Sequence, residues 1–149
     1  MKAQASNEMT LEFPSHSRNE SFVRSTVACF AAQMDPTLNE LEDIKTAISE
    51  AVTNAIVHAY PDSIGKITIK ARITSENILE LIVKDRGRGI PNIDEARQPM
   101  FTTGGEERSG MGFTIMESFM DKLSVRSVPN KGTTVMMKKR LAPRVKGIK

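Results

Sequence analysis

The chain has 149 residues, of which 39% are hydrophobic and 26% charged, which suits one domain, expected over residues 1–141. Six of the 21 Lys and Arg residues lie in residues 138–149, which leaves 15 basic against all 18 acidic residues in the rest of the chain. The net charge of +3 therefore reflects a basic tail, expected to be flexible over residues 142–149, and is weak evidence for nucleic-acid binding. The single Cys29 excludes a disulfide framework and is expected to be buried in a helix. With no signal-like or membrane-length apolar run, the chain is predicted to be cytoplasmic.

In chain order, the first half of the sequence predicts a strand followed by two helices. Apolar and polar residues alternate over 9–13, which indicates a strand with one buried face. Residues 17–20 form a capping-box pattern, and the apolar spacing over 22–34 predicts the first helix. A second capping-box pattern at 37–40 opens a longer helix through 41–56.

The second half predicts two hairpins separated by helices and a loop. The expected elements are strands at 67–73 and 79–83, a short helix at 94–98, a flexible loop at 99–112, a helix at 113–123 and a hairpin at 125–137 with its turn at Asn130-Lys131-Gly132. Two helices in tandem, followed mainly by strands, do not follow the alternation of a doubly wound fold. The order predicts an α+β fold with a mostly antiparallel sheet and helices on one face.

Glu50 and Asn54 form the first candidate site. They lie one helical turn apart and share a face, on the side opposite the apolar stripe centred on Ile48. This face is either a solvated helix surface or the lining of a ligand site. In a ligand site the carboxylate could act as a general base and the amide oxygen could bind a hard cation such as magnesium.

Asp85, Gly87 and Gly89 follow directly after an apolar strand and form the second candidate. The two glycines permit positive φ and a close backbone approach to a ligand, and the acid could accept a hydrogen bond from an exocyclic amine. The alternative is an ordinary tight turn. Thr133, next to Gly132, is either a hairpin residue or a ligand contact.

A glycine-rich segment at 104–112 forms the third candidate. Gly110 and Gly112 precede a predicted helix and could present backbone N–H groups to an anion, while Arg108 is either a phosphate ligand or a solvated charge. The segment is not a P-loop, because no strand precedes it and Met111-Gly112 stands where a P-loop has Lys and Ser or Thr.

Taken in order, these segments resemble the motif series of the GHKL ATPases, the superfamily of gyrase B, Hsp90, the histidine kinases and MutL. The segments that carry this resemblance are EAVTNA (50–55), DRGRGI (85–90), GMG (110–112) and GT (132–133). Two further segments, ARQPMFTT (96–103) and RSGMGFTIME (108–117), resemble the anti-sigma-factor serine kinases, and their sporulation group in particular. The resemblance spans about residues 7–141.

The resemblance implies a two-layer α/β sandwich with a mixed sheet that holds ATP or ADP between a helix and a lid. It implies that Glu50 is the general base and that Asn54 coordinates Mg²⁺. It also implies that the purine base and the phosphates are bound by Asp85, Gly87, Gly89, Thr102, Thr103, Arg108, Gly110, Gly112 and Thr133. Arg24 corresponds to a residue of the first helix that contacts the protein partners.

The function implied by this resemblance is that of a homodimeric anti-sigma factor without nucleic-acid or membrane partners. It would hold a sporulation sigma factor and, with Mg-ATP, phosphorylate an anti-anti-sigma protein of the STAS fold on serine. One alternative is a general-stress anti-sigma kinase with a different sigma partner. Another is a nucleotide-dependent binding module without kinase activity, against which the presence of Glu50 argues. A nucleic-acid-binding protein has little support, because the chain has no Trp and one Tyr.

Overall fold

A computed structural model describes residues 5–97 and 112–142 of the chain, apart from the side chain of residue 95. The strands are β1 (Ala5–Pro14), β2 (Lys66–Thr74), β3 (Ile78–Asp85), β4 (Lys122–Val128) and β5 (Gly132–Arg140). The helices are α1 (Asn19–Ala31), α2 (Leu38–Asn54), α3 (Ile93–Ala96) and α4 (Gly112–Phe119), with a 3-10 turn (Ala32–Met34) after α1 and a π-helical turn (Ala55–Ala59) after α2. None of the helices in this part of the chain has the length and apolar content that crossing a bilayer requires.

The described strands form one sheet in the order β1-β2-β3-β5-β4, and every neighbouring pair is antiparallel. Alternate residues of β2, β3 and β5 are buried on one face of this sheet, and the helices cover that face. The layers share a core whose largest buried side chains include Ile44, Ile48, Ile67, Ile69, Leu79, Leu81, Met116, Met137 and Leu141. The predicted α+β fold, with helices on one face of a mostly antiparallel sheet, is confirmed, but the described strands are all antiparallel to their neighbours and the sheet is not mixed.

Helix α2 begins with the predicted capping box. The Glu40 N–H donates to Thr37 Oγ1 at 3.0 Å, and the Thr37 N–H donates to Glu40 Oε1 at 2.8 Å. The other oxygen of Glu40 accepts the N–H of Ala142 at 3.0 Å. This carboxylate therefore both starts the helix and fixes the chain after β5 against it.

Helix α1 begins without the capping box that the sequence predicts. Its N-cap is Arg18, whose side chain makes no capping hydrogen bond, and Ser17 contributes its carbonyl to the Glu20 N–H at 3.2 Å. The Glu20 carboxylate instead accepts hydrogen bonds from Ser49 Oγ on α2 and from Arg24 Nη1 at 3.5 Å. The prediction was wrong because Glu20 has a partner on another helix, 29 residues away in sequence.

Two further local predictions differ from the structure. Helix α4 ends at Phe119, and Leu123 pairs with Met137 as part of β4 instead of extending the helix. Cys29 is exposed, because the buried stripe of α1 consists of Val23, Val27, Phe30 and Ala31.

Candidate functional site

Three of the described candidates lie at the ends of secondary-structure elements. Asp85 is the last residue of β3, Thr133 is the second residue of β5, and Asn54 is the last residue of α2. The loop that follows β3 is fastened to the helical layer, because the Arg88 N–H donates to the Ala59 carbonyl at 3.2 Å. The loop that carries Gly87 and Gly89 is therefore held against the π-helical turn that continues α2.

Asp85 is buried, and two backbone N–H groups hold its carboxylate in place. It is 6% exposed, and its Oδ1 accepts hydrogen bonds from the N–H of Gly87 at 2.9 Å and of Thr133 at 3.2 Å. Burial raises the pKa of Asp85 above its usual range, although these two hydrogen bonds act in the opposite direction. Both hydrogen bonds that Asp85 accepts from described residues fall on Oδ1, so Oδ2 is the acceptor that Asp85 can offer to a ligand.

The glycines after Asp85 pack directly on neighbouring backbone. A Cβ on Gly87 would lie 2.3 Å from the Ala59 carbonyl oxygen, and a Cβ on Gly89, where φ is +76°, would lie 2.4 Å from that of Val128. Both distances are far below van der Waals contact. The loop therefore needs glycine at these positions to pack against the π-helical turn and β4, whether or not a ligand is bound.

Gly132 packs directly against the backbone of Asp85, so a larger residue at this position should destabilise the fold. Its φ is +127°, and a Cβ there would lie 2.2 Å from the Asp85 carbonyl oxygen. Gly132→Ala is expected to lower the free energy of unfolding by at least ~2 kcal/mol, as measured by urea denaturation. The matched variant, Lys131→Ala at an exposed neighbour, is expected to change it by less than ~0.5 kcal/mol. Equal stability of the two variants would contradict the tight packing of this turn.

Tyr60, which has no predicted role in the site, fastens three segments beside the candidate site. Its hydroxyl donates to the Lys66 carbonyl at 2.7 Å and accepts the Arg86 N–H at 2.7 Å. Its ring lies against Gly65, where a Cβ would come within 2.2 Å of a ring carbon. One side chain thus joins the end of the helical segment, the start of β2 and the first residue after Asp85. The sequence contains no local pattern that would indicate these contacts.

Ser127, also missed in the sequence, faces Thr133 across the β4–β5 hairpin. The two hydroxyl oxygens are 2.8 Å apart. Ser127 Oγ also accepts the Ile90 N–H at 2.7 Å and donates to the Gly132 carbonyl at 3.1 Å. The serine therefore connects the loop after β3 to the strand that carries Thr133.

Glu50 lies at a groove between α1 and α2. Its side chain is half-buried, so the alternative of a fully solvated helix face does not hold. The groove has a volume of about 330 Å³ and is lined by Arg24, Ser25, Glu42, Lys45, Thr46, Ser49 and Glu50. Arg24 and Glu50 thus line the same groove, whose lining includes both basic and acidic side chains.

Asn54 faces the start of α4, one helical turn after Glu50. A Cβ on Gly112 would lie 2.9 Å from Asn54 Nδ2 and 3.0 Å from its Oδ1. The amide therefore meets the first turn of α4 at close range, and a side chain at position 112 would have to displace it. This contact joins the first candidate segment to the end of the third.

The remaining predicted site residues, Thr102, Thr103, Arg108 and Gly110, lie outside the described residues. Their predicted roles stay predictions. Within residues 5–97 and 112–142, no group of three or more His, Cys, Asp and Glu side chains is placed to hold a metal ion.

Comparisons with known proteins agree with this geometry. The sequence model of the histidine kinase-like ATPase domain family matches residues 13–139. The chain is 58% identical over 137 residues to the anti-sigma F factor of Geobacillus thermodenitrificans, covering 91% of this chain and 94% of that one. It is 59% identical over 134 residues to the anti-sigma F factor of Thermoanaerobacter sp., covering 89% of this chain and 93% of that one.

Two solved structures share the fold. The RsbU and RsbW domains of Rv1364c from Mycobacterium tuberculosis superpose with a TM-score of 0.68 at 20% identity, over 91% of this chain and 32% of that one. The histidine kinase domain from Erythrobacter litoralis EL346 blue-light activated histidine kinase superposes with a TM-score of 0.57 at 22% identity, over 82% of this chain and 61% of that one. At these identities the likeness concerns the fold.

A two-layer domain with Asp85 at the end of β3 and with Glu50 and Asn54 in the last turns of α2 has the architecture of a histidine kinase-like ATPase, a class whose fold implies nucleotide binding. With relatives this similar over nearly their full length, the chain belongs to the anti-sigma F factor family.

Proposed function

We propose that the chain is an anti-sigma factor that inhibits a sporulation sigma factor and, with Mg-ATP, phosphorylates the anti-anti-sigma antagonist of that factor on serine. The observation that carries this proposal is Glu50, a half-buried carboxylate at the α1–α2 groove, one turn from the amide of Asn54. A protein that only binds nucleotide has no need of a base at this point. The names of its relatives support the sigma-factor partner.

We propose that the purine base of ATP or ADP is bound at the strand ends. The Oδ2 of Asp85 would accept a hydrogen bond from the exocyclic amine of adenine, with Thr133 as a second polar contact. The backbone at Gly87 and Gly89 would form the wall that faces the base and the sugar. Support comes from the burial of Asp85 and from the fixed orientation of its Oδ1.

The residues at the end of α2 suit a nucleotide-bound Mg²⁺. Mg²⁺ prefers hard oxygen ligands and usually keeps water and phosphate oxygens beside one or two protein ligands. The amide oxygen of Asn54 would be one such ligand, and a site completed by phosphates does not need the acidic cluster that the described residues lack. When bound, the ion would neutralise phosphate charge. We propose that Thr102, Thr103, Arg108, Gly110 and Gly112 bind the phosphates from the lid.

In the proposed reaction, the hydroxyl oxygen of the substrate serine attacks the γ-phosphorus of ATP. The bond from that phosphorus to the β–γ bridging oxygen breaks, ADP leaves, and the serine proton passes to the Glu50 carboxylate. Phosphoryl transfer depends mainly on positioning and charge stabilisation. The groove that joins Arg24 to Glu50 is where we place the serine-bearing segment of the substrate.

We propose that Arg24 contacts the protein partners of a homodimer in the cytoplasm, where the sigma factor meets RNA polymerase. Arg24 is 39% exposed in its side chain and is oriented by Glu20. Close to it on α1, Phe22 is 56% exposed and would lie within the same contact surface. A general-stress sigma partner is the alternative within the same family.

Arg24→Glu is expected to weaken sigma binding at least ~100-fold, because it replaces the donor with a like charge beside Glu20. The measurement is the affinity of the purified chain, with ADP or ATP present, for a sporulation sigma factor and for a general-stress sigma factor. The matched control is Lys70→Glu, a charge reversal on the sheet face away from the helices. Equal binding by both variants would contradict the assignment of Arg24, and preference for the stress factor would favour the alternative.

A further inference from the structure

The neighbours of Thr133 determine where its hydroxyl group donates its one hydrogen bond. A serine or threonine hydroxyl has one hydrogen to donate and two lone pairs to accept with. The Gly132 carbonyl oxygen is able only to accept, so the 3.1 Å contact from Ser127 Oγ uses the one hydrogen of Ser127. The Ile90 N–H is able only to donate, so its 2.7 Å contact uses one lone pair of Ser127.

The remaining contact of Ser127, with Thr133, shows which way the Thr133 hydroxyl donates. Because Ser127 has already donated its hydrogen, the 2.8 Å contact between the two hydroxyl oxygens requires Thr133 to donate. The backbone N–H of Thr133 is also used, since it donates to Asp85 Oδ1. Thr133 Oγ1 therefore keeps only lone pairs for a ligand, in a residue that is 8% exposed.

We propose that Ser127 is a positioning residue that turns the Thr133 hydroxyl into an acceptor and thereby makes the site select a 6-aminopurine over a 6-oxopurine. The inference rests on the proposed nucleotide site at Asp85. Asp85 Oδ2 and Thr133 Oγ1 then present two acceptors. The amino group of adenine donates to such a surface, whereas the keto oxygen of hypoxanthine or guanine places a third acceptor against it.

The rejection of 6-oxopurines depends on Ser127 because a free threonine hydroxyl is adaptable. Without its acceptor, Thr133 can rotate its hydrogen toward the ligand and donate to a keto oxygen. Loss of Ser127 also removes the bond to the Ile90 N–H, but that loss loosens the loop for any nucleotide. The ratio of two affinities therefore separates the proposed effect from a general structural one.

The test is competition binding of ADP and inosine diphosphate, which differ at position 6 of the base, in the full chain. Ser127→Ala is expected to reduce the preference for ADP about tenfold, and Ser127→Cys, which keeps a weak acceptor, to reduce it less. Ser124→Ala, at the half-buried serine on the other face of β4, is expected to leave both affinities unchanged. Thermal unfolding without nucleotide checks that each variant is folded.

A double-mutant cycle tests whether Ser127 acts through Thr133. In a Thr133→Val background, Ser127→Ala is expected to cause no further change in the ratio of the two affinities. An equal fall of both affinities in Ser127→Ala, or a full additional change in the double variant, would overturn the inference while leaving the nucleotide site intact. If the folded wild-type chain binds neither nucleotide, the proposed function fails, and this inference with it.

Discussion

Glu50→Gln is expected to reduce serine phosphorylation of the antagonist at least ~100-fold, within the range that general bases contribute, while the affinity for ATP changes less than about threefold. Glutamine keeps the size and the hydrogen-bonding reach of the side chain but is unable to take up the serine proton. The measurement is single-turnover phosphorylation of the antagonist, with nucleotide binding determined separately.

The matched control for Glu50 is Glu42→Gln, which removes the other carboxylate of the same groove. It is expected to retain transfer within about fivefold. If both variants phosphorylate at the wild-type rate, Glu50 is not the base. If both lose transfer to the same extent, the groove's overall charge matters and no single base is identified, which also contradicts the assignment.

Asp85→Asn is expected to lower ADP affinity about 100-fold. A site that binds its ligand through a buried hydrogen bond loses much of its affinity when one of the two bonding groups is changed. If the asparagine oxygen accepts the same hydrogen bonds from the N–H groups of Gly87 and Thr133, its amino group takes the position of Oδ2. Two hydrogen-bond donors, this amino group and the adenine amine, then face each other. Asp62→Asn, at an exposed position in the loop before β2, is the control. ADP binding by Asp85→Asn at wild-type affinity would refute the contact.

The stability of Asp85→Asn separates lost binding from lost folding. Burial raises the pKa of Asp85 in the folded chain, so the folded state binds the proton more tightly than the unfolded state. The carboxylate therefore lowers the free energy of unfolding as pH rises from the ordinary value, near ~3.9, through the raised folded value. At pH 7 the neutral asparagine removes that cost, and we expect the variant to be at least as stable as the wild type.

Elements specified by local sequence were predictable. The Thr37–Glu40 capping box forms because both partners lie within four residues of each other. The β4–β5 turn forms at Asn130 and Gly132, whose positive φ values suit these residue types. Alternation of apolar residues likewise predicted β2 and β3. In each case the information lies within a few residues of the element.

The features that the sequence did not predict depend on distant contacts. The Glu20 side chain does not cap α1 as expected but accepts a hydrogen bond from Ser49 on another helix. Tyr60 connects segments that are adjacent only after folding. The candidate residues of the site were predicted from their motifs, but the hydrogen bonds around Asp85 and Thr133 were not. Ser127 is 42 residues from Asp85 in sequence, and no spacing rule connects the two.

The central claim, that this chain transfers phosphate to a protein serine, is tested most directly with purified components. The wild-type chain is incubated with γ-labelled ATP, Mg²⁺ and candidate STAS-fold antagonists, and labelled residues are identified by mass spectrometry. The account predicts label on one serine of an antagonist, dependent on Mg²⁺ and absent with Glu50→Gln. Antagonists that stay unlabelled while the chain binds ATP and its sigma factor would contradict it and identify a nucleotide-dependent binding module instead.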